Sequence, residues 1–205
     1  MSIVKKWAYC VITFIAGVLG LALSATTGMK VVTTIDGSAI GQTIDGSSKI
    51  VKAFKVLTDS DLMEQAKALD IKSEFVTMKV FAIITLVLSI LLIVYAVIAL
   101  LQNLNVIKSN HIAFDIVAIT LVVLFLVATI GLLVSSNAYA GALEKATETI
   151  IIPLKLSATE LAPYISVLKW NATASVGVYQ PFMLVVSIIT AIVTGTFTIL
   201  NRKRG

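Results

Sequence analysis

The sequence predicts an all-α membrane protein, a bundle of four transmembrane helices with an exterior lobe of helix extensions and a small β-hairpin or sheet. The chain has 205 residues, of which 58% are hydrophobic and 13% are charged, far from the averages of soluble domains. The apolar residues gather in runs long enough to cross the ~30 Å hydrocarbon core of a bilayer as helices. The four runs cover residues 7–24, 76–101, 112–134 and 182–200.

The charges outside these runs predict the topology. Ten of the 11 acidic residues lie in the two longer segments, 25–75 and 135–181, together with nine lysines. The N-terminus, the 102–111 link and the C-terminal tail carry six basic residues and no acid. Because cytoplasmic segments are enriched in Lys and Arg, we expect both termini in the cytoplasm and the longer segments outside, most simply at the plasma membrane. Residues 1–205 then form a single membrane domain.

The first apolar run resembles a signal peptide, since Lys5 and Lys6 precede it and the small residues Ala22, Ser24 and Ala25 lie at its end. It is about 18 residues long, however, which exceeds a typical signal core. We therefore interpret residues 7–24 as an uncleaved transmembrane helix. Cys10, the single cysteine of the chain, lies near the cytoplasmic end of this run. We expect it to be a buried apolar side chain rather than a lipidation site.

The first exterior segment changes character along its length. Residues 31–48 are rich in β-branched residues and contain Thr-Ile-Asp-Gly twice, at 34–37 and 43–46. Asp-Gly favours tight turns, which predicts a hairpin or a three-stranded element. Asp36 and Asp45 lack the further oxygen ligands that a calcium loop needs.

The remaining exterior residues predict three helical stretches and a strand. From Asp59, which together with Ser60 is a candidate cap, apolar residues recur at helical spacing, and we expect this helix to continue unbroken into the second span. The third helix should extend outward to Pro153. A short helix at 158–170, a strand at 171–179 that joins the hairpin, and a fourth span starting at Pro181 complete the prediction.

Small and hydroxyl-bearing residues mark the predicted packing faces, because they allow close approach of helix backbones in a membrane. In the fourth run a hydroxyl stripe recurs at about one-turn spacing. We interpret this stripe as a packing face whose hydroxyls bond to helix carbonyls, with a water-filled pore as the alternative. The packing residues are Ala16, Gly20, Ala82, Ser89, Ala96, Ser187, Ala191 and Gly195, and the stripe is Ser187, Thr190, Thr194 and Thr198.

The residue types needed for chemistry are scarce. The chain has one histidine and one cysteine, with no spacing typical of a metal site. We therefore expect no enzyme activity, metal or cofactor. His111 and Asp115 lie at the start of the third run, where a first-turn carboxylate suits the helix dipole, with a pH-sensing or gating role as the alternative. Asn171 heads the sequence Asn-Ala-Thr and permits glycosylation in a eukaryote.

With four spans, an exterior segment of strand character and an outward third helix, the layout resembles claudin-type and tetraspanin-type proteins. The resemblance covers the whole chain but is one of architecture. The Trp-Gly-Leu-Trp and paired-cysteine motifs of claudins and the Cys-Cys-Gly motif of tetraspanins are absent. No family residue is therefore carried over, and adhesion and membrane organisation follow only as an analogy.

Two functions remain open from the sequence. The first is a non-enzymatic membrane organiser, adhesion protein or accessory subunit that associates laterally and through its exterior lobe. The alternative is a homo-oligomeric channel for ions or small solutes, lined by the fourth helix. For both functions the expected partners are membrane lipids and either copies of the chain or another membrane protein. Nucleic acid is not expected as a partner, because the topology explains the net charge of +5.

Overall fold

The computed structural model describes residues 3–25, 28–36, 48–58, 61–104, 106–107, 111–149, 169–176 and 179–202. Five helices and three strands occupy these residues. In chain order they are α1 (Ile3–Ala25), β1 (Gly28–Asp36), β2 (Ser48–Lys55), α2 (Leu62–Ala68), α3 (Lys72–Asn103), α4 (His111–Thr149), β3 (Lys169–Val176) and α5 (Tyr179–Arg202).

Three helices have the length and hydropathy to cross a membrane within the described part of the chain. They are α3, over Lys72–Asn103, α4, over Ala113–Lys145, and α5, over Gln180–Thr198. The described apolar part of α1, Tyr9–Ala25, is shorter than these three. The protein is thus an integral membrane protein with an α-helical membrane domain.

The four long helices form a closed ring. α1 packs against α3, α3 against α4, α4 against α5, and α5 returns to α1. The strands adjoin the end of α1 and the start of α5, so we call that end of the bundle the sheet end. The short connection between α3 and α4 lies at the opposite end, which we call the link end.

The outward faces of these helices are aliphatic. Val134 is 62% exposed, Ile192 is 63% exposed and Val127 is 56% exposed, and similar residues face outward on α1 and α3. Contiguous apolar surface of this extent is rare on soluble monomers. In a bilayer the same surface contacts lipid, so no partner protein is needed to cover it.

A three-stranded sheet of order β2-β1-β3 joins the two halves of the chain. β1 is antiparallel to both neighbours, with Gly28 opposite Lys55 and Met29 opposite Val176. Only two residues separate α1 from β1 and β3 from α5. The β1–β3 pairing therefore fixes the end of α1 beside the start of α5.

The strands differ in position from those predicted. The predicted hairpin ended at Ser48, whereas β2 begins there, and the connecting residues 37–47, with the predicted Asp-Gly turns, lie outside the described residues. Lys169 and Trp170 were predicted to be helical but are in β3, where Trp170 lies opposite Ile35. Residues 158–168 of that predicted helix, and Pro153, are likewise outside the described part.

The prediction of an unbroken helix into the second span was wrong. α2 ends at Ala68, and α3 starts at Lys72. Asp70 between them has φ 56°, and the backbone N–H groups of Asp70 and Ile71 donate to the carbonyls of Lys67 and Ala66. These two bonds form a Schellman motif, which satisfies carbonyls at the end of α2 and turns the chain.

The N-terminus of α2 also differs from the prediction. Asp61 occupies the N-cap position instead of Asp59 or Ser60, and its side chain makes no capping hydrogen bond. α2 is held by packing instead: Leu62 and Ala66 are buried in a cluster with Phe75 of α3 and Tyr139 of α4. Burial of the apolar side of α2 thus substitutes for the missing cap.

Replacing Asp70 by glycine should stabilise the protein. A side chain in the left-handed conformation costs about 1–2 kcal/mol, and the greater freedom of glycine in the unfolded chain offsets about 0.5–1 kcal/mol of that. Asp70→Gly should therefore raise the free energy of unfolding by about 0.5–1 kcal/mol. The exposed helical residue Ala68 supplies the control, because Ala68→Gly should lower it by about 1 kcal/mol. Thermal unfolding in detergent measures both changes, and a destabilising Asp70→Gly would contradict the motif.

Candidate functional site

The interior of the ring is lined by buried polar side chains, and each of the four long helices contributes at least two of them. All are at most 5% exposed. They are Thr13 and Ser24 on α1, Thr85 and Ser89 on α3, Thr129, Ser135 and Ser136 on α4, and Gln180, Ser187, Thr190, Thr194 and Thr198 on α5. The hydroxyl stripe predicted on the fourth run therefore faces the inside of its own bundle.

Most of these hydroxyls bond to the backbone of their own helix. Thr13 donates to the Tyr9 carbonyl at 3.0 Å, Thr85 to the Phe81 carbonyl at 2.7 Å, and Thr190 to the Val186 carbonyl at 2.8 Å. Such bonds to the preceding turn satisfy a hydroxyl without any partner on another helix. The hydroxyls bonded in this way consequently impose no large desolvation cost on the bundle.

Two side-chain hydrogen bonds connect α4 and α5 across the interior. The hydroxyl oxygens of Thr129 and Ser187 are 2.9 Å apart, and the Gln180 Nε2 atom donates to the Ser136 Oγ atom at 3.0 Å. Each interhelical bond of this kind contributes about 0.6 kcal/mol on average in membrane proteins. Together they fix the register of α5 against α4.

Two polar atoms in this interior have no hydrogen-bond partner among the described residues. They are the Gln180 Oε1 atom and the Thr194 Oγ1 atom. Gln180 is 3% exposed and Thr194 is 1% exposed. The Thr194 carbonyl accepts the Thr198 hydroxyl at 3.0 Å, so the Thr194 side chain is the exception within an otherwise bonded stripe.

An aromatic chain occupies the link end and takes one ring from each helix. Phe197 of α5 stacks on Tyr9 of α1 with ring centroids 4.5 Å apart, and Tyr95 of α3 stacks on Phe114 of α4 at 4.5 Å. Tyr9 and Tyr95 meet edge to face, and their hydroxyl oxygens are 2.6 Å apart. Aromatic pairs contribute about 0.5–1.5 kcal/mol each beyond area burial. These ring contacts therefore stabilise the packing of all four long helices against one another.

Cys10 lies beside this aromatic chain. Its side chain is 4% exposed, and the Asn103 Nδ2 atom donates to its Sγ atom at 3.2 Å. A buried thiol within a packed cluster is poorly placed for acylation. The geometry thus supports the expectation that Cys10 has a packing role.

α1 and α3 approach each other closely at two glycines. A Cβ atom at Gly17 would lie 2.7 Å from the Ile93 Cγ1 atom and 2.9 Å from the Ser89 carbonyl oxygen. A Cβ atom at Gly20 would clash with the Ser89 hydroxyl and with the Phe125 ring of α4. At Gly17 the obstacle includes backbone atoms of α3, whereas at Gly20 the side chains of Ser89 and Phe125 would have to move. Small residues of this kind allow close backbone packing in a membrane.

The other predicted packing residues are placed in two ways. Ala16, Ala82, Ser89, Ala96 and Ser187 are all buried within the chain. Ala191 is partly buried and packs against a cluster that includes Leu92 and Phe125. Gly195 differs from them all, because a Cβ atom there would have no neighbour within 4 Å. The predicted faces thus divide into contacts inside the chain and one open position on α5.

The remaining predicted positions lie outside the bundle interior. Asn171 is in β3, where it pairs with Thr34, and His111 is the first residue of α4 with Asp115 one turn later. Among the residues that the structure describes, no group of His, Cys, Asp and Glu is arranged to hold a metal ion.

Sequence reasoning did not find the aromatic chain, Gln180 or Gly17. Tyr9 and Tyr95 each carry a hydroxyl within an apolar run, which is a signal that a polar partner is needed there. The partner itself lies 86 positions away in the chain. Periodicity within one helix could not reveal that pairing.

Comparison with known proteins adds no residue roles to this arrangement. No protein-family model, no curated protein and no solved structure matches the chain. The roles of the buried hydroxyls, the glycines and the aromatic chain are therefore inferred from their geometry.

Proposed function

We propose that α1 is a fourth membrane span and that the protein is a four-pass protein of the plasma membrane with both termini in the cytoplasm. α1 contains 23 residues, which corresponds to about 34 Å of helix, and it packs along α3 and α5. The basic residues of the link end and the termini, and the nearly neutral sheet end, support this orientation.

Within this frame we propose a non-enzymatic membrane organiser, adhesion protein or accessory subunit that associates laterally. The observation that carries the proposal is the open position at Gly195. Space beside a glycine in a transmembrane helix allows a second helix to approach closely. The neighbouring Ile192, 63% exposed, supplies apolar surface for such a contact.

The sheet end supplies the second part of the proposed function. β1 is the central strand, so β2 and β3 form the two edges of the three-stranded sheet. An exterior lobe of this kind can contact partners or copies of the chain on the outside, as the architectural resemblance to claudin-type and tetraspanin-type proteins suggests by analogy.

A channel between copies of the chain is the less favoured alternative. Its proposed pore residues Ser187, Thr190, Thr194 and Thr198 are each at most 3% exposed, and they lie inside the ring. Lining a pore between protomers would require α5 to rotate and break its bonds to α4. The organiser needs no such rearrangement.

The topology is tested by protease protection of tagged protein in sealed cells. Tags at residues 1 and 205 should be protected from external protease, because the basic segments beside them retain both termini inside. A tag within residues 38–48 should be cut. Cleavage of either terminal tag in intact cells would reverse the proposed orientation.

Lateral association through α5 is tested by Gly195→Leu. A Cβ atom at position 195 has no neighbour within 4 Å and leucine is favourable in lipid, so folding and insertion should persist while the oligomer dissociates. Particle mass in native-like bilayer discs measures the change. A matched control is Gly141→Leu on α4, where a Cβ atom also has no neighbour within 4 Å. Gly141 lies beyond the apolar run 112–134, in the segment expected outside the membrane, so this change should leave the particle mass unchanged.

A second control separates assembly from folding. Gly20→Leu should lower the thermal stability of the monomer, because overpacking costs about 1–3 kcal/mol or more. If Gly195→Leu keeps the wild-type particle mass, α5 is not an interface and the proposed lateral contact is wrong.

Cysteine accessibility decides between the organiser and the channel. Cysteines placed singly at Ser187, Thr190, Thr194 and Thr198, with Cys10 replaced, should resist aqueous thiol reagents because these positions are buried in the bundle. A cysteine at Lys67, which is exposed on α2, serves as the accessible comparison. Labelling at all four positions together with single-channel currents would establish the pore instead.

A further inference from the structure

The polar face of α5 extends across nearly the whole membrane. Gln180, Ser187, Thr190, Thr194 and Thr198 are all buried. From the first to the last of them the helix rises about 27 Å, close to the ~30 Å thickness of the hydrocarbon core. Polar groups therefore recur through the interior from the sheet end to the aromatic chain.

A buried polar atom without a partner is costly in this setting. Each unsatisfied group in a membrane interior costs several kcal/mol, and the great majority of buried polar atoms in proteins are bonded to protein or ordered water. Gln180 and Thr194 each have such an atom, and the two residues are only 3% and 1% exposed. Each of these two atoms therefore requires a small ligand that can form a hydrogen bond with it.

We propose that the interior of the bundle binds structural water at two sites, one at the Gln180 Oε1 atom and one at the Thr194 Oγ1 atom. Water is the ligand whose chemistry matches these atoms, because it can donate and accept hydrogen bonds without bringing a charge into the membrane. This inference goes beyond the proposed organiser function and does not depend on it.

At the sheet end, the chemistry of the Gln180 pair suits a bridging water. The Ser136 hydroxyl accepts from the Gln180 Nε2 atom at 3.0 Å, and a serine hydroxyl that accepts also has one proton to donate. A water that donates to the Gln180 Oε1 atom and accepts from Ser136 closes the ring. α4 and α5 are then joined by an amide, a hydroxyl and a water.

Nearer the link end, the Thr194 site differs from the rest of the stripe. Thr190 and Thr198 donate to the carbonyls of Val186 and Thr194, one turn before each. The Thr194 hydroxyl makes no such bond. Among the threonines of the stripe, only Thr194 therefore has a hydroxyl that can both donate a hydrogen bond to a water and accept one from it.

Water-edited solid-state NMR on the full-length protein in lipid bilayers tests both sites. Magnetisation from water protons should reach the Thr194 and Gln180 side chains several-fold faster than the lipid-facing side chain of Ile192. Thr190, whose hydroxyl is bonded within the helix, is the matched buried control and should build up slowly. Slow build-up at Thr194 or at Gln180, equal to that of Thr190, would overturn the site concerned.

Thr194→Val supplies an independent readout. Valine has nearly the same shape as threonine but no hydroxyl. If water is bound, the substitution removes one of its hydrogen-bond partners and lowers the melting temperature. If the hydroxyl is unpaired, the same change removes a buried unsatisfied group and raises the melting temperature, which would overturn the Thr194 site. Should the variant fail to fold, the NMR measurement on the wild-type protein decides. Failure of the Gly195→Leu test leaves both results unaffected.

Discussion

The bilayer provides no hydrogen-bond partners, and the arrangement of this bundle follows from that constraint. Hydroxyls that face lipid must bond to their own helix, whereas hydroxyls that face inward can also bond to a neighbour. The chain places its long polar stripe inward, where Thr129 and Ser187 join α4 to α5. The outward faces are left to aliphatic residues such as Val127 and Ile192, which lipid covers at no cost.

Association of helices in lipid depends on close packing, since lipid chains are as apolar as the side chains they replace. The bundle obtains close packing in two regions. Gly17 and Gly20 bring the backbone of α1 against Ser89 of α3, and at the link end the Tyr9–Tyr95 pair contacts rings from the other two helices. Glycine contacts and aromatic contacts thus stabilise the four-helix ring at two different depths.

Gly195 gains meaning from this contrast. Beside Gly17 and Gly20 of α1, neighbouring atoms occupy the space where a Cβ atom would lie, and the Phe81 ring occupies the same space beside Gly131 of α4. Gly195 is the glycine of α5, and the space beside it is open. Gly141 of α4 is open in the same way but lies beyond the apolar run 112–134, whereas Gly195 lies within an apolar run near the exposed Ile192. A small residue within a span that has no internal contact is the feature that directs the functional proposal to lateral association.

The sequence by itself determined the membrane class, the approximate extents of the long helices and the small or hydroxyl-bearing residues, because length, hydropathy and spacing are local properties. It also indicated a strand near residues 171–179, although β3 lies at Lys169–Val176. Tertiary structure decided which strands pair, that α2 ends at Ala68 before the turn at Asp70, and which small residues meet. Gly20 and Ser89, or Tyr9 and Tyr95, are far apart in the chain, and only the packing of the ring brings them into contact. A repeat within one helix shows that a face exists, but the neighbour that covers the face is set by the other helices.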